Sequence, residues 1–261
     1  MSGKPTAIVT GASGGIGGAT ALVLAREGWN LVLNGLEDTA LDAVADQARG
    51  LGAEVATQAG DVTDRDHPRA VCDLALDRFG RIDGLVGGAG TSRPVSFHET
   101  SDEEWDRLVD INLSAHFRLA REVGRHMMDR DGGGAIVEVS SISHRNGGGN
   151  VAYGAAKAGV VAMCYGMAQT LGPYGVRVNA VAPGVIDTSL VRSNFPGETF
   201  DRLVEGASAR TPLRRIGKPG DVAEVIAFLL SDKAAFITGA VIPITGGIEL
   251  LAPISALPKP A

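Results

Sequence analysis

Short, wholly apolar runs alternate with longer segments of helical periodicity along nearly the whole chain, and this alternation constrains the fold more than any other feature. Residues 7–9, 31–33, 54–58, 82–86, 135–139, 176–181 and 241–244 read as strands, and residues 15–27, 41–51, 65–79, 105–128, 151–171 and 222–230 as helices. The strand runs lack the apolar–polar alternation of a half-buried strand, so both faces of each must be covered. Strands separated by helices pair in parallel through crossovers of one hand. The expected architecture is α/β: a doubly wound parallel sheet of the Rossmann type with helices on both faces. No linker composition interrupts the pattern, so residues 1–261 are expected to form a single domain. Asp38 precedes the second helix and is expected to cap it.

Composition narrows the function classes. The chain has 36 glycines and only 12 prolines, a balance that marks tight turns and close backbone approach rather than a fibrous or disordered chain. Its net charge of −6 arises from interspersed acidic and basic residues, and without a basic stripe nucleic acid is not an expected partner. Cys72 and Cys164 sit in apolar helical segments without CxxC spacing, which predicts buried thiols in a reducing compartment. His67, His98, His116 and His126 show no metal-ligand spacing and read as structural or solvated, so no metal is expected. The first ten residues lack the layout of a signal peptide, and no apolar stretch reads as long enough to cross a bilayer. The expected location is the cytoplasm, with no membrane partner.

Thr10-Gly11-Ala12-Ser13-Gly14-Gly15-Ile16-Gly17 follows the first strand and opens the first helix. The spacing of Gly11, Gly15 and Gly17 lets the backbone turn sharply and approach a pyrophosphate, whose charge meets the helix N-terminus. A glycine triplet alone also suits a plain turn; the strand–turn–helix context at the first crossover favours a dinucleotide. No Lys-Ser/Thr follows, which excludes the loop of a nucleoside-triphosphate hydrolase. The second strand ends at Asn34-Gly35-Leu36 without a cation to meet a ribose phosphate, so NAD is expected in preference to NADP. Glu37 and Asp38 can reach a ribose hydroxyl or serve the next helix.

Tyr153 and Lys157 lie one turn apart on one helical face. An ammonium beside a phenol favours phenolate and moves the tyrosine toward the range of an acid–base catalyst, although the spacing by itself also fits a surface pair. The same helix is apolar or small around most of its circumference, from Ala152 to Ala168. Such a helix needs cover on more than one side, so a homo-oligomer, dimer or tetramer, is expected. Residues 188–211 follow a strand end, carry Leu190, Phe195, Phe200 and Leu203 among polar residues, and are expected to form a substrate lid. Residues 250–261, with three prolines, read as a loosely packed tail.

The motifs Thr10-Gly11-x-x-x-Gly15-x-Gly17, Asp61-Val62, Ala89-Gly90, Asn112, Ser140-Ser141, Tyr153-Gly154-Ala155-Ala156-Lys157 and Pro183-Gly184-Val185-Ile186-Asp187-Thr188 occur in an order that resembles the short-chain dehydrogenase/reductase family over nearly the whole chain. The resemblance implies an oxidoreductase moving a hydride between a nicotinamide dinucleotide and a small-molecule carbonyl or secondary alcohol. Tyr153 would exchange a proton with the reacting oxygen, Ser141 would hydrogen-bond that oxygen, and Lys157 would bind the nicotinamide ribose and lower the Tyr153 pKa. Asn112 would hold a water linking Lys157 to solvent. The implied dinucleotide contacts are Gly11, Ser13, Gly15, Ile16, Gly17 and Leu36, with Asp61 and Val62 at the adenine. Gly88, Ala89, Gly90, Tyr153 and Lys157 follow, and Pro183, Gly184, Ile186 and Thr188 complete the nicotinamide end. Asp61 also reads as a loop cap, and Asn112 as a satisfied polar residue within a helix.

The chain departs from the family pattern at three places. Gly87-Gly88 stand where the family has two asparagines, which removes bracing hydrogen bonds and leads us to expect a looser loop. The strand register selects Ser141 as the reactive serine, whereas the interval to Tyr153 selects Ser140. Thr245-Gly246-Gly247 replaces Asp-Gly-Gly. His144 reads as a substrate contact or as an incidental loop residue. Two rival functions accompany the leading one: an NADPH-dependent 3-oxoacyl thioester (acyl-carrier-protein) reductase, and a dinucleotide-sensing regulatory protein that has kept the fold without catalysis.

Overall fold

The structure, a computed structural model, describes residues 3–130 and 132–250; the expected tail therefore lies, apart from Leu250, outside the described residues. Seven strands, β1 (Thr6–Val9), β2 (Asn30–Gly35), β3 (Val55–Ala59), β4 (Gly84–Gly87), β5 (Gly134–Val139), β6 (Val176–Pro183) and β7 (Val241–Ile244), form one sheet in the order β3-β2-β1-β4-β5-β6-β7. Every pairing is parallel, as the continuously apolar runs require. The crossovers carry α1 (Gly15–Arg26), α2 (Asp38–Gly50), α3 (His67–Phe79), α4 (Asp102–Val109), α5 (Ala115–Met128), α6 (Ser143–Asn146), α7 (Val151–Leu171), α8 (Ser189–Asn194), α9 (Glu198–Arg210) and α10 (Pro219–Leu230).

Successive strand residues face opposite sides and feed two cores. Val9 and Leu33 join Leu24, Leu41 and Ile226 on one face, while Ile8, Val32, Leu85 and Ile136 join Val71 and Val123 on the other. Each such fully buried side chain contributes about 1.5–3 kcal/mol of transfer free energy. The sheet is thus fixed on both sides, and the strand order reverses between β1 and β4. Loops leaving the carboxyl ends of those two strands diverge and open a crevice.

Three expectations need correction. The helix expected over 105–128 is two helices separated by a π turn, Asp110–Ser114. Asn112 lies within that turn, and its Nδ2 donates to the Leu108 carbonyl at 2.9 Å, a side-chain bond that competes with the helical ladder. Asp38 does not cap α2; it is the first helical residue, Glu37 precedes it, and no side chain makes the cap bond. Asp38 acts there as a charge at the positive end of the helix dipole. Finally, Val151–Tyr174 is long and apolar enough, by length and composition, to cross a membrane. Its apolar character comes from α7 pressing one side on the sheet and carrying small residues on the other.

Candidate active site

The first crossover is built for close approach. Thr10 donates its amide to the Val86 carbonyl at 3.0 Å, which joins the end of β1 to β4. The Thr10 hydroxyl accepts from Gly88 N at 3.0 Å and Ala89 N at 3.1 Å. Gly11 (φ 67°) is left-handed, and a Cβ there would lie 2.7 Å from the Gly88 carbonyl oxygen. A Cβ on Gly17 would overlap the Gly11 carbonyl oxygen and stand 2.7 Å from its carbon. Gly14 precedes α1 and supplies no side-chain cap, and the first turn holds no acidic residue, so its amides remain available to an anion. Beside them the Ser13 hydroxyl is buried without a partner. Free amides, an orphaned hydroxyl and Cβ-free walls fit the phosphates of a dinucleotide, with Ile16 half-buried at the start of the helix.

At the far end of this crevice Leu36 is 71% exposed, and Glu37 and Asp38 are exposed beside it. Asn34 is turned inward, donating to Gln58 O at 2.9 Å and contacting His67 Nε2 at 2.8 Å. Asp61 accepts from the amide and hydroxyl of Thr63, both at 2.8 Å, and these bonds hold its carboxyl below the usual range. It therefore caps its own loop while remaining exposed, and Val62 lines a small cavity with Thr10, His67 and Ala89.

Several polar residues gather at the carboxyl end of β5. The Asn112 side chain is fully buried and holds Thr91 through its Oδ1 (3.2 Å, from Thr91 N) and Nδ2 (2.9 Å, to Thr91 O). Gly90 stands between this amide and Lys157: a Cβ on it would be 2.8 Å from Asn112 Oδ1 and 3.4 Å from Lys157 Nζ. The Ser140 hydroxyl is buried and donates to the Lys157 carbonyl at 2.8 Å, whereas the half-buried Ser141 contacts Ser143 and Tyr153. Asn150 caps α7 by accepting from Tyr153 N at 3.1 Å and also donates to Arg93 O, which sets where the helix starts and where Tyr153 emerges.

Burial governs both titrating groups. Lys157 is 3% exposed, its Nζ donates to the Val139 carbonyl at 2.8 Å, and burial pushes the ammonium down to about 8 against the opposing charge of Glu138. Burial likewise pushes the Tyr153 phenol above its ordinary value, with the Ser141 hydroxyl pulling the other way. The expected lowering of Tyr153 by Lys157 does not dominate here, because Nζ is directed at Val139 and lies 5.8 Å from the phenol ring centre.

The segment after β6 runs beside the glycine turn. Pro183 O accepts from Ile142 N, and Gly184 N donates to Ile244 O, both at 3.0 Å. Ile186 is buried against Gly217. Thr188 caps α8, and its Cγ2 lies 3.5 Å from where a Cβ of Gly15 would stand, so this loop arches over the glycine turn. Beyond it the stretch expected to be a lid forms α8 and α9; Asn194 donates to Ser92 O at 2.7 Å, and Arg192 pairs with Asp187 and stacks on Phe200. His144 Nδ1 contacts the Ser141 carbonyl at 2.5 Å. Thr245 accepts from Gly247 N at 3.1 Å, so it closes the Gly-Gly turn itself.

One buried pair escaped the sequence reading. Glu138 interrupts the apolar strand Ile136-Val137-Glu138-Val139, and His116 meets it at 2.6 Å. A carboxylate inside a strand buried on both faces was the available signal. Together with the Thr10 bonds, this pair supplies hydrogen bonds to the loop that follows Gly87 where side-chain bracing was expected to be missing.

A parallel sheet whose order reverses beside a glycine turn is the frame of an oxidoreductase that uses a nicotinamide dinucleotide, and likeness to known proteins places the chain in that class. Residues 11–249 match the sequence family described as Enoyl-(Acyl carrier protein) reductase. The chain is 38% identical over 251 residues to a 3-oxoacyl-[acyl-carrier-protein] reductase of Thermotoga maritima, covering 96% of this chain and 99% of that protein. It is 41% identical over 243 residues to a cis-4-hydroxycyclohexanecarboxylate dehydrogenase of Sinomonas cyclohexanicum, covering 92% and 95%. The crystal structure of levodione reductase superimposes with a TM-score of 0.88 at 33% identity, covering 95% of this chain and 98% of that one. The chain belongs to the short-chain dehydrogenase/reductase family.

Proposed function

We propose that the protein exchanges a hydride between a nicotinamide dinucleotide, NAD in preference to NADP, and a carbonyl or secondary-alcohol substrate. The observation that carries this reading is that Ser141 contacts Tyr153 while Lys157 Nζ lies 5.8 Å from the Tyr153 ring centre and close to the Gly90 backbone. The dinucleotide, when bound, supplies the hydride donor or acceptor. Tyr153 gives its proton to the carbonyl oxygen in reduction and takes it back from the alcohol in oxidation. Ser141 donates to the same oxygen as charge grows on it. Lys157 holds the ribose, and a water in the gap between Asn112 and Lys157 returns the proton toward solvent.

Gly11, Ser13, Gly15, Ile16 and Gly17 hold the phosphates; Leu36, Asp61 and Val62 border the adenosine; Gly88, Ala89 and Gly90 form the floor. Pro183, Gly184, Ile186 and Thr188 border the nicotinamide, and 188–211 act as a lid latched through Asn194. The lack of any Lys or Arg at 34–38 supports NAD. A second reading, an NADPH-dependent 3-oxoacyl thioester reductase, is favoured by the Thermotoga maritima relative. Homo-oligomer formation is supported by Ala155, Ala162, Tyr165 and Gly166, exposed along α7, and by Phe117, exposed on α5. We place the enzyme in the cytoplasm.

Steady-state rates with NADH and NADPH against cyclic ketones, hydroxy acids and 3-oxoacyl thioesters separate the two readings by cofactor and by substrate. In either case Tyr153→Phe should lower kcat by about 10²-fold or more; turnover unchanged in that variant rules out Tyr153 as the proton donor.

A further inference from the structure

No step above uses the fully buried Glu138, and a carboxylate inside a parallel sheet is unfavourable unless it is paired and hydrogen-bonded. Its partner His116 on α5 is also buried and bonds in two directions: Nδ1 lies 2.6 Å from Glu138 Oε2, and Nε2 lies 2.8 Å from the Ala89 carbonyl oxygen. A carbonyl only accepts, so Nε2 carries a hydrogen, and the hydrogen of the shorter contact lies between Nδ1 and the carboxylate. The ring thus joins β5 to the loop that follows β4. Room for this arrangement comes from Gly87. A Cβ there would overlap Glu138 Oε2, lie 2.7 Å from its Cδ, and lie 2.9 Å from His116 Nδ1. The asparagine that the family pattern places at 87 and this pair exclude one another in space.

We propose that His116 and Glu138 are positioning residues that occupy the space left open by Gly87 and fix the Ala89 carbonyl, holding the Gly88–Gly90 backbone against the Thr10–Gly11 turn in its dinucleotide-binding form. The inference rests on reading that crevice as the dinucleotide site. The path is short: Ala89 N and Gly88 N both donate to the Thr10 hydroxyl, and Gly11 has no room for a Cβ against Gly88. Rotation of the Ala89 peptide would therefore displace the floor on which the glycine turn rests. Positions 87, 116 and 138 form one unit, and a change at one is tolerated only with a matching change at another.

The test is a double-mutant cycle on the full chain, read by fluorescence titration with NADH and NADPH and by thermal unfolding. Gly87→Ala should weaken dinucleotide binding about tenfold or more, while the same substitution made together with Glu138→Ala should cost less than about twofold beyond Glu138→Ala alone, because contacting sites are not additive. Glu138→Gln should bind within about threefold of the wild type, since its amide can donate to Nδ1 while Nε2–H stays on Ala89. Glu138→Leu, similar in volume but unable to orient the ring, should lose about tenfold in affinity, given the penalty for an unsatisfied buried group. If Gly87→Ala does not fold, the contrast between Gln and Leu at 138 decides. Additive effects in the cycle, or Leu binding as tightly as Gln, overturn the clamp. A wild-type chain that binds neither dinucleotide overturns the reading of the crevice, and the assigned purpose of the clamp with it.

Discussion

Substituting Gly90 by alanine isolates the gap between Asn112 and Lys157. Gly90 is not in the left-handed region, so alanine adds a methyl group without backbone strain. That methyl would stand 2.8 Å from Asn112 Oδ1 and 3.4 Å from Lys157 Nζ. The amide must yield by a few tenths of an ångström, but Nδ2 is held by two carbonyls at 2.9 Å. The weakest of its bonds, from Thr91 N at 3.2 Å, gives way first. Losing this bond on a half-buried donor costs about 1 kcal/mol, which lowers Tm by about 2–4 °C for a domain of this size. Because the methyl also fills the space assigned to the relay water, kcat should fall by about tenfold or more, consistent with a partial loss of acid–base catalysis. Rates and thermal unfolding, measured on the same preparation, separate the two effects. A variant with the wild-type kcat, whatever its Tm, would refute the relay through this gap.

Gly17→Ala should weaken dinucleotide binding by about tenfold or more, since its Cβ would overlap the Gly11 carbonyl, a backbone group that cannot step aside; unchanged affinity in a titration would count against the phosphate cradle. Lys157 gives a signed pH dependence. Its ammonium titrates at about 8 in the folded chain against an ordinary 10.5, so between those values the unfolded chain holds a proton that the native one lacks. Stability from this group therefore rises with pH across that window, by about 3 kcal/mol in total. Lys157→Met should lack the rise in urea midpoints measured from pH 8 to 10. Burial pushes the thiols of Cys72 and Cys164 up to about 12, so both should resist a thiol reagent until the chain unfolds; rapid labelling of the native protein would contradict their burial.

The local chemistry was legible in the sequence because it resides in neighbouring residues. The helix 151–171 and the strand 241–244 have the bounds read from periodicity, and the glycine turn lies where strand, turn and helix meet. The boundaries that moved did so where tertiary contacts intervened. β6 runs on to Pro183 because β7 pairs with its end, and the π turn exists because Asn112 bonds Leu108 and Thr91 at once. Ser140 and Ser141 could not be separated by counting residues; the packing of β5 against α7 directs one hydroxyl to the Lys157 carbonyl and leaves the other facing Tyr153.

What the sequence determined unaided is the parallel, doubly covered sheet, the glycine turn and the Tyr–Lys helical face, since apolar periodicity and helical spacing are properties of the chain itself. Only the folded structure decided that burial holds Tyr153 above its ordinary pKa and Lys157 below its own, and that Gly87 makes room for Glu138 and His116. Those outcomes depend on desolvation and on distances between residues far apart in the chain, quantities that no local pattern encodes.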